Sequence, residues 1–326
     1  MRGLSFSPTR RPSDPPPRIG LVDLGTNTVL CSVLFGDARE PRALRIAEDL
    51  HFVTGLGQTR AADGALAGAG LGRAERSLRY IARRLHELGV APSAVHGAAT
   101  AACREAPNGP AFLRTVRQDL GLPLRVITGE EEAGFVGLAQ ARSFPAHRAQ
   151  FVIDIGGGST ELALRVAGEQ RWARSIPVGA TKLGALFGPR PVIEEAREYV
   201  ARAAADAQIP TDAARASSAV VIGVAGTVTT ALQVLDRSEH WDPSTLHGRA
   251  LERDEVEQLA LAMLRASPQQ RRALPGLHPL RADFLGPGLL WLCALLDVLG
   301  SQRLLVSDRG LRFGLLHTAY PTALVL

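Results

Sequence analysis

At 326 residues with 46% hydrophobic content, the chain is long enough for two domains, each with its own core. Its three cysteines are widely separated and lack C-x-x-C spacing, which argues against a disulfide framework and a zinc site. The net charge of +5 suits a polyanionic ligand, but no basic run with interleaved aromatic residues occurs, so specific nucleic-acid binding is not expected.

The first part of the chain predicts a tail followed by an α/β lobe. Residues 1–17 contain a proline run and no apolar signal-peptide core, so we interpret them as a disordered tail or an overlong start and expect a cytoplasmic protein. Residues 18–146 predict the N-terminal lobe, because short apolar strands alternate with segments of helical periodicity. The predicted strands are 19–22, 29–34, 95–99 and 124–127, and the predicted helices are 72–88 and two that begin near residues 110 and 130.

Residues 147–308 repeat this plan and predict a second lobe. The most apolar stretch, residues 284–299, is short and is interrupted by a proline and an aspartate, so it predicts a buried helix and no contact with a membrane. Residues 309–326 are expected to form a terminal helix that packs back on the first lobe. The strands predicted for the second lobe are 151–155, 161–166, 219–224 and 304–306.

Two strand ends of matching design lie 131 residues apart, at Asp23 and Asp154. Each apolar strand ends in the carboxylate and continues into a turn rich in glycine and hydroxyl residues. Such a turn lets backbone N–H groups converge on an anion, while the carboxylate can hold a hydrated divalent cation facing the same anion. The pair predicts two phosphate-binding turns that face each other across a cleft. Their predicted phosphate-binding residues are Gly25, Thr26, Asn27, Thr28, Gly156, Gly157, Gly158, Ser159 and Thr160.

Two helix starts add to this pattern. Gly226 and Thr227 follow a third apolar strand, and the helix after them would direct its N-terminus at the same cleft, although such junctions are common in α/β proteins. A second helix begins with three consecutive glutamates. Thr128 and Glu131 have the spacing of a capping box, which gives Glu131 a structural role and leaves Glu130 and Glu132 as candidates for chemistry.

Six segments, in order, resemble the exopolyphosphatase/guanosine pentaphosphate phosphatase (Ppx/GppA) family over residues 18 to about 318. The resemblance implies an α/β fold of two actin-like lobes (ribonuclease H-like, ASKHA superfamily) with an interdomain cleft. It also implies hydrolysis of terminal phosphoanhydride bonds of inorganic polyphosphate, with release of orthophosphate and with Mg²⁺ or Mn²⁺ as cofactor. The six segments are 23–28, 127–133, 154–161, 223–227, 279–283 and 306–312.

The resemblance also assigns roles to charged residues. It implies that Glu132 is the catalytic base and that Glu161 assists catalysis by binding metal or water. Asp23 and Asp154, together with Glu161, are expected to hold the metal, partly through water. Plainer interpretations stay open: a solvated first-turn carboxylate for Glu132, and a surface position on an edge strand for Glu161.

Two arginines match positions that family members keep near the substrate, Arg104 and Arg281. A guanidinium group matches the geometry of phosphate oxygens, so both are expected to contact substrate phosphates. The alternative for each is a surface ion pair, with Glu105 for Arg104 and with Asp283 for Arg281.

Longer family members carry C-terminal helical domains that this sequence lacks. Since those domains extend the charged surface for a long polyanion, we expect this protein to release long chains often, unless a homodimer restores the channel. The alternative substrate is guanosine pentaphosphate. Two further alternatives are an ATP-dependent kinase of the same superfold, with adenosine at the Gly226 junction, and an inactive phosphate sensor.

Overall fold

The computed structural model describes residues 18–36, 40, 42–240 and 242–326, so the interpretation of residues 1–17 falls outside the described residues. Among the described helices, none combines the length and the apolar character that crossing a bilayer requires.

The N-terminal lobe is built on a mixed six-stranded sheet in which the two longest pairings are antiparallel hairpins. The last strand of the chain, β12 (Leu324–Val325), pairs in parallel with the third strand and completes this sheet. The other strands are β1 (Arg18–Leu24), β2 (Thr28–Gly36), β3 (Ala43–Val53), β4 (Val95–Ala99) and β5 (Leu124–Val126), and the spatial order is β12-β3-β2-β1-β4-β5. The helices that follow in the chain are α1 (Gly68–Glu87), α2 (Ala101–Glu105), α3 (Gly109–Leu120) and α4 (Gly129–Ser143).

The second lobe has a sheet of the same size, with the order β10-β11-β9-β6-β7-β8. Its strands are β6 (Ala149–Ile155), β7 (Thr160–Val166), β8 (Glu169–Ile176), β9 (Val220–Val224), β10 (Ala250–Glu252) and β11 (Arg303–Val306). Its helices are α5 (Ala180–Phe187), α6 (Ile193–Asp206), α7 (Thr211–Ala216), α8 (Ala225–Leu235), α9 (Arg253–Arg265), α10 (Pro268–Arg272) and α11 (Leu285–Leu299). Nearly every residue of α11 is buried, which confirms the predicted buried helix.

Two helices join the lobes at the base of the cleft. α4 packs against β7 and β8 of the second lobe, and α12 (Leu311–Ala319) packs against β1 and against α4. The two helices approach at Gly314, where an added Cβ would lie 2.1 Å from the Phe135 carbonyl oxygen. Their apolar side chains form a core cluster with residues of both sheets, including Ala98 and Val152. The lobes therefore share packing below the cleft.

The strands and helices predicted from the sequence are present, with ends displaced by a few residues. β3 and β8 were not predicted, because both are strands with few fully buried positions and many polar side chains. The segment after residue 308 also differs from a single terminal helix, since α12 ends at Ala319 and β12 follows it.

Candidate active site

The two predicted turns have the same backbone geometry. The N–H of Gly25 donates to the Thr28 carbonyl at 2.9 Å, and the N–H of Gly156 donates to the Ser159 carbonyl at 3.0 Å. Each turn therefore closes across four residues and begins two positions after its aspartate. Within the described ranges, the N–H groups of the two central residues of each turn donate to no backbone carbonyl, so they are free to bind an anion. These central residues are Thr26, Asn27, Gly157 and Gly158.

The turns touch each other at the bottom of the cleft. A Cβ added to Gly158 would lie 2.8 Å from Thr26 Oγ1, and one added to Gly157 would lie 3.1 Å from Thr26 Cβ. Only glycine permits this approach without displacement of Thr26. Above the turns the cleft has a volume of about 600 Å³, larger than a single phosphoryl group requires, and both turns line it. The predicted juxtaposition of the two turns is thus present.

Four carboxylates converge beneath the turns: Asp23 at the end of β1, Asp154 at the end of β6, Glu161 on β7 and Glu132 in the first turn of α4. Asp154, Glu161 and Glu132 are buried, and burial raises the pKa of each, to about 7 for Glu161. Burial also raises the pKa of Asp23, to about 6, although the positive charge of Arg312 acts to lower it. The charges of Glu161, Asp154 and Asp23 each raise the pKa of Glu132 further.

This set of carboxylates fits a hydrated divalent cation. Oδ1 of Asp23 is buried without a hydrogen-bond partner, and a cation would offset the mutual repulsion of the buried charges. Among the residues that the structure describes, no three His, Cys, Asp or Glu side chains are grouped closely enough to coordinate a metal directly. Mg²⁺ usually keeps several waters and binds one or two carboxylates, which agrees with the expectation of binding partly through water. The assignment of Asp23, Asp154 and Glu161 to the metal remains a prediction.

Glu132 and Glu131 occupy different environments. Thr128 and Glu131 form the predicted capping box, and Glu131 also pairs with Arg125 at the surface. Glu132 faces the cleft, where its Oε2 lies 3.2 Å from the Arg104 guanidinium. The interpretation of Glu132 as a solvated first-turn carboxylate is therefore wrong.

Arg104 lies between the base of the cleft and α4. It donates to Glu132 and, at 3.0 Å, to the Ile127 carbonyl. The suggested pair with Glu105 is absent from the described ion pairs of Arg104, since Glu105 instead accepts from Lys182 at 2.8 Å. Arg104 is thus part of the carboxylate cluster, and its contact with substrate phosphates remains a prediction.

Glu161 lies on an interior strand, because β7 pairs with β6 on one side and with β8 on the other. The alternative of a surface residue on an edge strand is wrong, since only 2% of Glu161 is exposed. Its carboxylate accepts a hydrogen bond of 2.7 Å from Ser175 Oγ and another from Ser159. Two serines from different elements thus hold this side chain.

The side chain of Arg281 contacts the first two turns of α8. It donates to the Gly226 carbonyl at 3.1 Å and to the Thr230 hydroxyl, and a Cβ on Gly226 would lie 2.8 Å from Arg281 Nη1. The alternative pair with Asp283 is wrong, because the described partners of Asp283 are Arg271 and Arg272. Burial lowers the pKa of Arg281 to about 10, and its guanidinium lines the cleft, so the predicted phosphate contact is sterically open.

The hydroxyl residues of the motifs divide into two groups. Thr26, Thr28, Ser159 and Thr227 line the cleft, although the Thr227 hydroxyl already donates to the Ile155 carbonyl. Thr160 is different: its hydroxyl donates to the Val178 carbonyl at 2.6 Å and accepts from Trp291 Nε1 at 2.9 Å. The prediction that Thr160 contacts phosphate is therefore corrected, since its side chain is enclosed in the core of the second lobe.

One buried network was not predicted. Arg312 of α12 donates to Asp49 on β3 and, at 2.6 Å, to Ser32 on β2, and His51 bonds the second Asp49 oxygen at 2.8 Å. Although burial acts to raise the pKa of Asp49, Arg312 and the bonds from His51 and Ser32 hold it below its usual range. Arg312 and His51 both line the cleft. In the sequence, Arg312 is marked only by its place in segment 306–312, the last of the six that resemble the family. Its partners cannot be predicted from the sequence, because they meet Arg312 only when α12 packs back on the first lobe.

Comparison with known proteins gives consistent matches. Residues 39–323 match the sequence model of the Ppx/GppA phosphatase family. A crystal structure of the Aquifex aeolicus member of that family is similar at a TM-score of 0.75 and 25% identity, over 92% of this chain and 96% of that chain. Another structure of the Aquifex aeolicus PPX-GPPA enzyme gives a TM-score of 0.76 and 26% identity, over 92% and 99% of the two chains.

An exopolyphosphatase from Cytophaga hutchinsonii is similar at a TM-score of 0.82 and 22% identity, over 94% of this chain and 99% of that chain. Identity at this level shows a shared fold only. The predicted fold, α/β with two actin-like lobes and a cleft between them, is confirmed by the sheet topology and by these similarities.

Proposed function

Because the chain belongs to the Ppx/GppA phosphatase family, we propose that it hydrolyses the terminal phosphoanhydride bond of inorganic polyphosphate and releases orthophosphate, with Mg²⁺ as cofactor. The observation that carries this proposal is the placement of three carboxylates, those of Asp23, Asp154 and Glu132, in one cleft with two turns whose central amides have no backbone partner, while Glu161 is buried beside them. Phosphoryl transfer requires the charge of the phosphoryl group to be neutralised and a water to be oriented in line with it.

The residues of the chain divide these tasks. The amides of residues 26–27 and 157–158 would hold the oxygens of the terminal phosphoryl group. Glu132 would accept the proton of the attacking water, since it lines the cleft and its carboxylate is held by Arg104. Arg104 would orient Glu132, and Arg281 would contact a phosphate of the polyphosphate substrate beyond the one that is cleaved.

The metal would be held by Asp23 and Asp154, with Glu161 beside them. When bound, the ion supplies positive charge that neutralises the phosphate oxygens and the carboxylates together. Without that charge, the buried carboxylates would repel the polyanion that has to approach them.

A specific part of the cleft favours guanosine pentaphosphate as a second candidate substrate. The cleft extends past Arg281 to Leu274, Pro275 and Leu277, with Gln233 nearby. These apolar side chains and the Gln233 amide, with Glu239 and His278 also in the lining, suit a nucleoside better than a chain of phosphates. The same catalytic groups would then serve a nucleotide polyphosphate.

Phosphate release tests both candidates. Purified protein is given polyphosphate, guanosine pentaphosphate or ATP, each with Mg²⁺, with Mn²⁺ or with excess chelator. We expect orthophosphate from the first or the second substrate, and only with metal. Full activity in chelator would contradict the role of the metal, and phosphate transferred from ATP to an acceptor other than water would favour the kinase alternative.

A further inference from the structure

A hydroxyl outside the predicted site residues contacts Glu161. Ser175 lies on β8 directly opposite Glu161 on β7 in the antiparallel register, and its Oγ donates to Glu161 Oε1 at 2.7 Å. Opposed residues on antiparallel strands have Cβ atoms about 4.5–5.5 Å apart, so a side chain as short as serine reaches its partner. The contact therefore follows from the register of β7 and β8.

The same serine forms the surface on which α4 begins. A Cβ on Gly129, the first residue of α4, would lie 2.2 Å from Ser175 Cβ and 2.5 Å from Ser175 Oγ. The backbone of the helix is thus in direct contact with Ser175. The capping box of Thr128 and Glu131 fixes this first turn, and the next residue is Glu132. Ser175 consequently contacts both Glu161 and the helix that carries Glu132.

Ser175 also lines a smaller cavity, of about 330 Å³. Arg104, the partner of Glu132, and Ser159, the second donor to Glu161, line the same cavity, and Ser159 also lines the main cleft. The supports of both glutamates therefore meet at one place. Ser175 is the one of these residues that touches both Glu161 and α4.

We propose that Ser175 is a positioning residue of the hydrolytic site, whose hydroxyl holds the Glu161 carboxylate in its buried position beside the cleft and whose side chain sets the separation between Glu161 and the helix of Glu132. This inference rests on the proposed function, because Glu161 and Glu132 are its named catalytic groups. A displacement of about 1 Å in such a group costs on the order of 10²-fold in rate. Loss of one hydroxyl is thus sufficient to impair the reaction while the fold is kept.

The experiment is a double-mutant cycle with polyphosphate at saturating Mg²⁺, comparing wild type, Ser175→Ala, Glu161→Gln and the double variant. We expect Ser175→Ala to lower kcat by about 10-fold or more while KM stays within about twofold. In the Glu161→Gln background the same change is expected to add little, since the serine acts through Glu161. Ser301→Ala is the control, because it removes an exposed hydroxyl bonded only to the Arg303 carbonyl and is expected to leave kcat unchanged.

An unchanged kcat in Ser175→Ala, or equal losses in both backgrounds, would overturn the inference. Thermal unfolding shows whether each variant is folded. If Ser175→Ala does not fold, Ser175→Cys takes its place, because it fills the space beside Gly129 and donates a weak hydrogen bond. The kinetic expectations for it are the same.

Crystal structures of metal-free wild type and Ser175→Ala give a readout that does not depend on activity. We expect the Glu161 carboxylate to leave its wild-type rotamer in the variant, and an unchanged rotamer would overturn the inference. Wild-type protein that releases no phosphate would contradict the proposed function, and the rotamer comparison would still decide whether Ser175 positions Glu161.

Discussion

Glu131 and Glu132 are neighbours in the sequence, yet they have opposite environments. Glu131 is exposed, caps α4 and pairs with Arg125, and these hydrogen bonds lower its pKa. Glu132 is buried beside Arg104, and burial together with three other carboxylates raises its pKa. A general base must reach the reacting water, so Glu132, which lines the cleft, has the position that the reaction needs, whereas Glu131 is engaged in the helix cap.

The first prediction compares these two residues by removing one charge at a time. Glu132→Gln is expected to lower kcat by about 10²-fold or more with the fold intact, because the water loses its proton acceptor. Glu131→Gln is the matched control, and it is expected to retain activity and to lower the free energy of unfolding by at most about 1 kcal/mol, since glutamine still completes a capping box. Phosphate-release kinetics and chemical denaturation measure both. The reverse order of effects would show that Glu131 is the base.

The second prediction concerns the pH dependence of stability in metal-free protein. Burial raises the pKa of Glu161 to about 7, from 4.5. The folded state therefore holds this proton more tightly than the unfolded chain, and the resulting stability is present at low pH and is lost as the pH rises through about 7.

The free energy of unfolding of Glu161→Gln, measured relative to wild type, should thus increase from pH 5 to pH 8 by up to about 3 kcal/mol. Urea denaturation in chelator at the two pH values measures this difference, and saturating Mg²⁺ should reduce it. If the difference in the free energy of unfolding between Glu161→Gln and wild type did not change with pH, the raised pKa of Glu161 in the folded state would be contradicted.

At the scale of elements, the first turn of α4 depends on close contact with β8. The third prediction is that Gly129→Ala lowers kcat by about 10-fold or more, since the new Cβ would lie 2.2 Å from Ser175 Cβ and would displace the helix that carries Glu132. Gly134→Ala in the same helix is the control, because its Cβ would meet only the end of Gln170, at 3.4 Å. It is expected to keep activity and to stabilise the helix by up to about 1 kcal/mol. Equal activity of the two variants would contradict the contact.

The elements of the fold differ in how well the sequence predicts them. β1, β6 and β9 are apolar runs that end in glycine-containing turns, so their pattern alone predicts them and the turns that follow. β8 carries arginines and a glutamine at half-exposed or exposed positions, so its periodicity is weak. Ser175 was missed for the same reason, since its role depends on register with β7. Asp154 was predicted from the apolar strand that it ends and the glycine-rich turn that follows, whereas Glu132 was chosen because it lies inside a motif of a known family.

At the scale of the whole molecule, Arg312 binds α12 to β2 and β3 of the first lobe. The fourth prediction is that Arg312→Met lowers the free energy of unfolding by about 3–5 kcal/mol, because it leaves the largely buried Asp49 carboxylate without its main partner. Adding Asp49→Asn should restore part of the loss. Arg272→Met removes an ion pair whose side chains are about half exposed, so it should cost at most about 1 kcal/mol. Similar losses for Arg312→Met and Arg272→Met in urea denaturation would contradict this role.

The pairing of β12 with β3 also determines when each lobe can be completed during synthesis. The strands of the second lobe, β6 to β11, leave the ribosome as one continuous segment, so that lobe has its whole sheet before α12 emerges. The first lobe has β1 to β5 much earlier, but Ile19 and Leu21 pack against Phe313 and Leu316 of α12, which emerge after the second lobe. The lobe that is made first is therefore finished last, and its nascent form is the one that exposes apolar surface to chaperones.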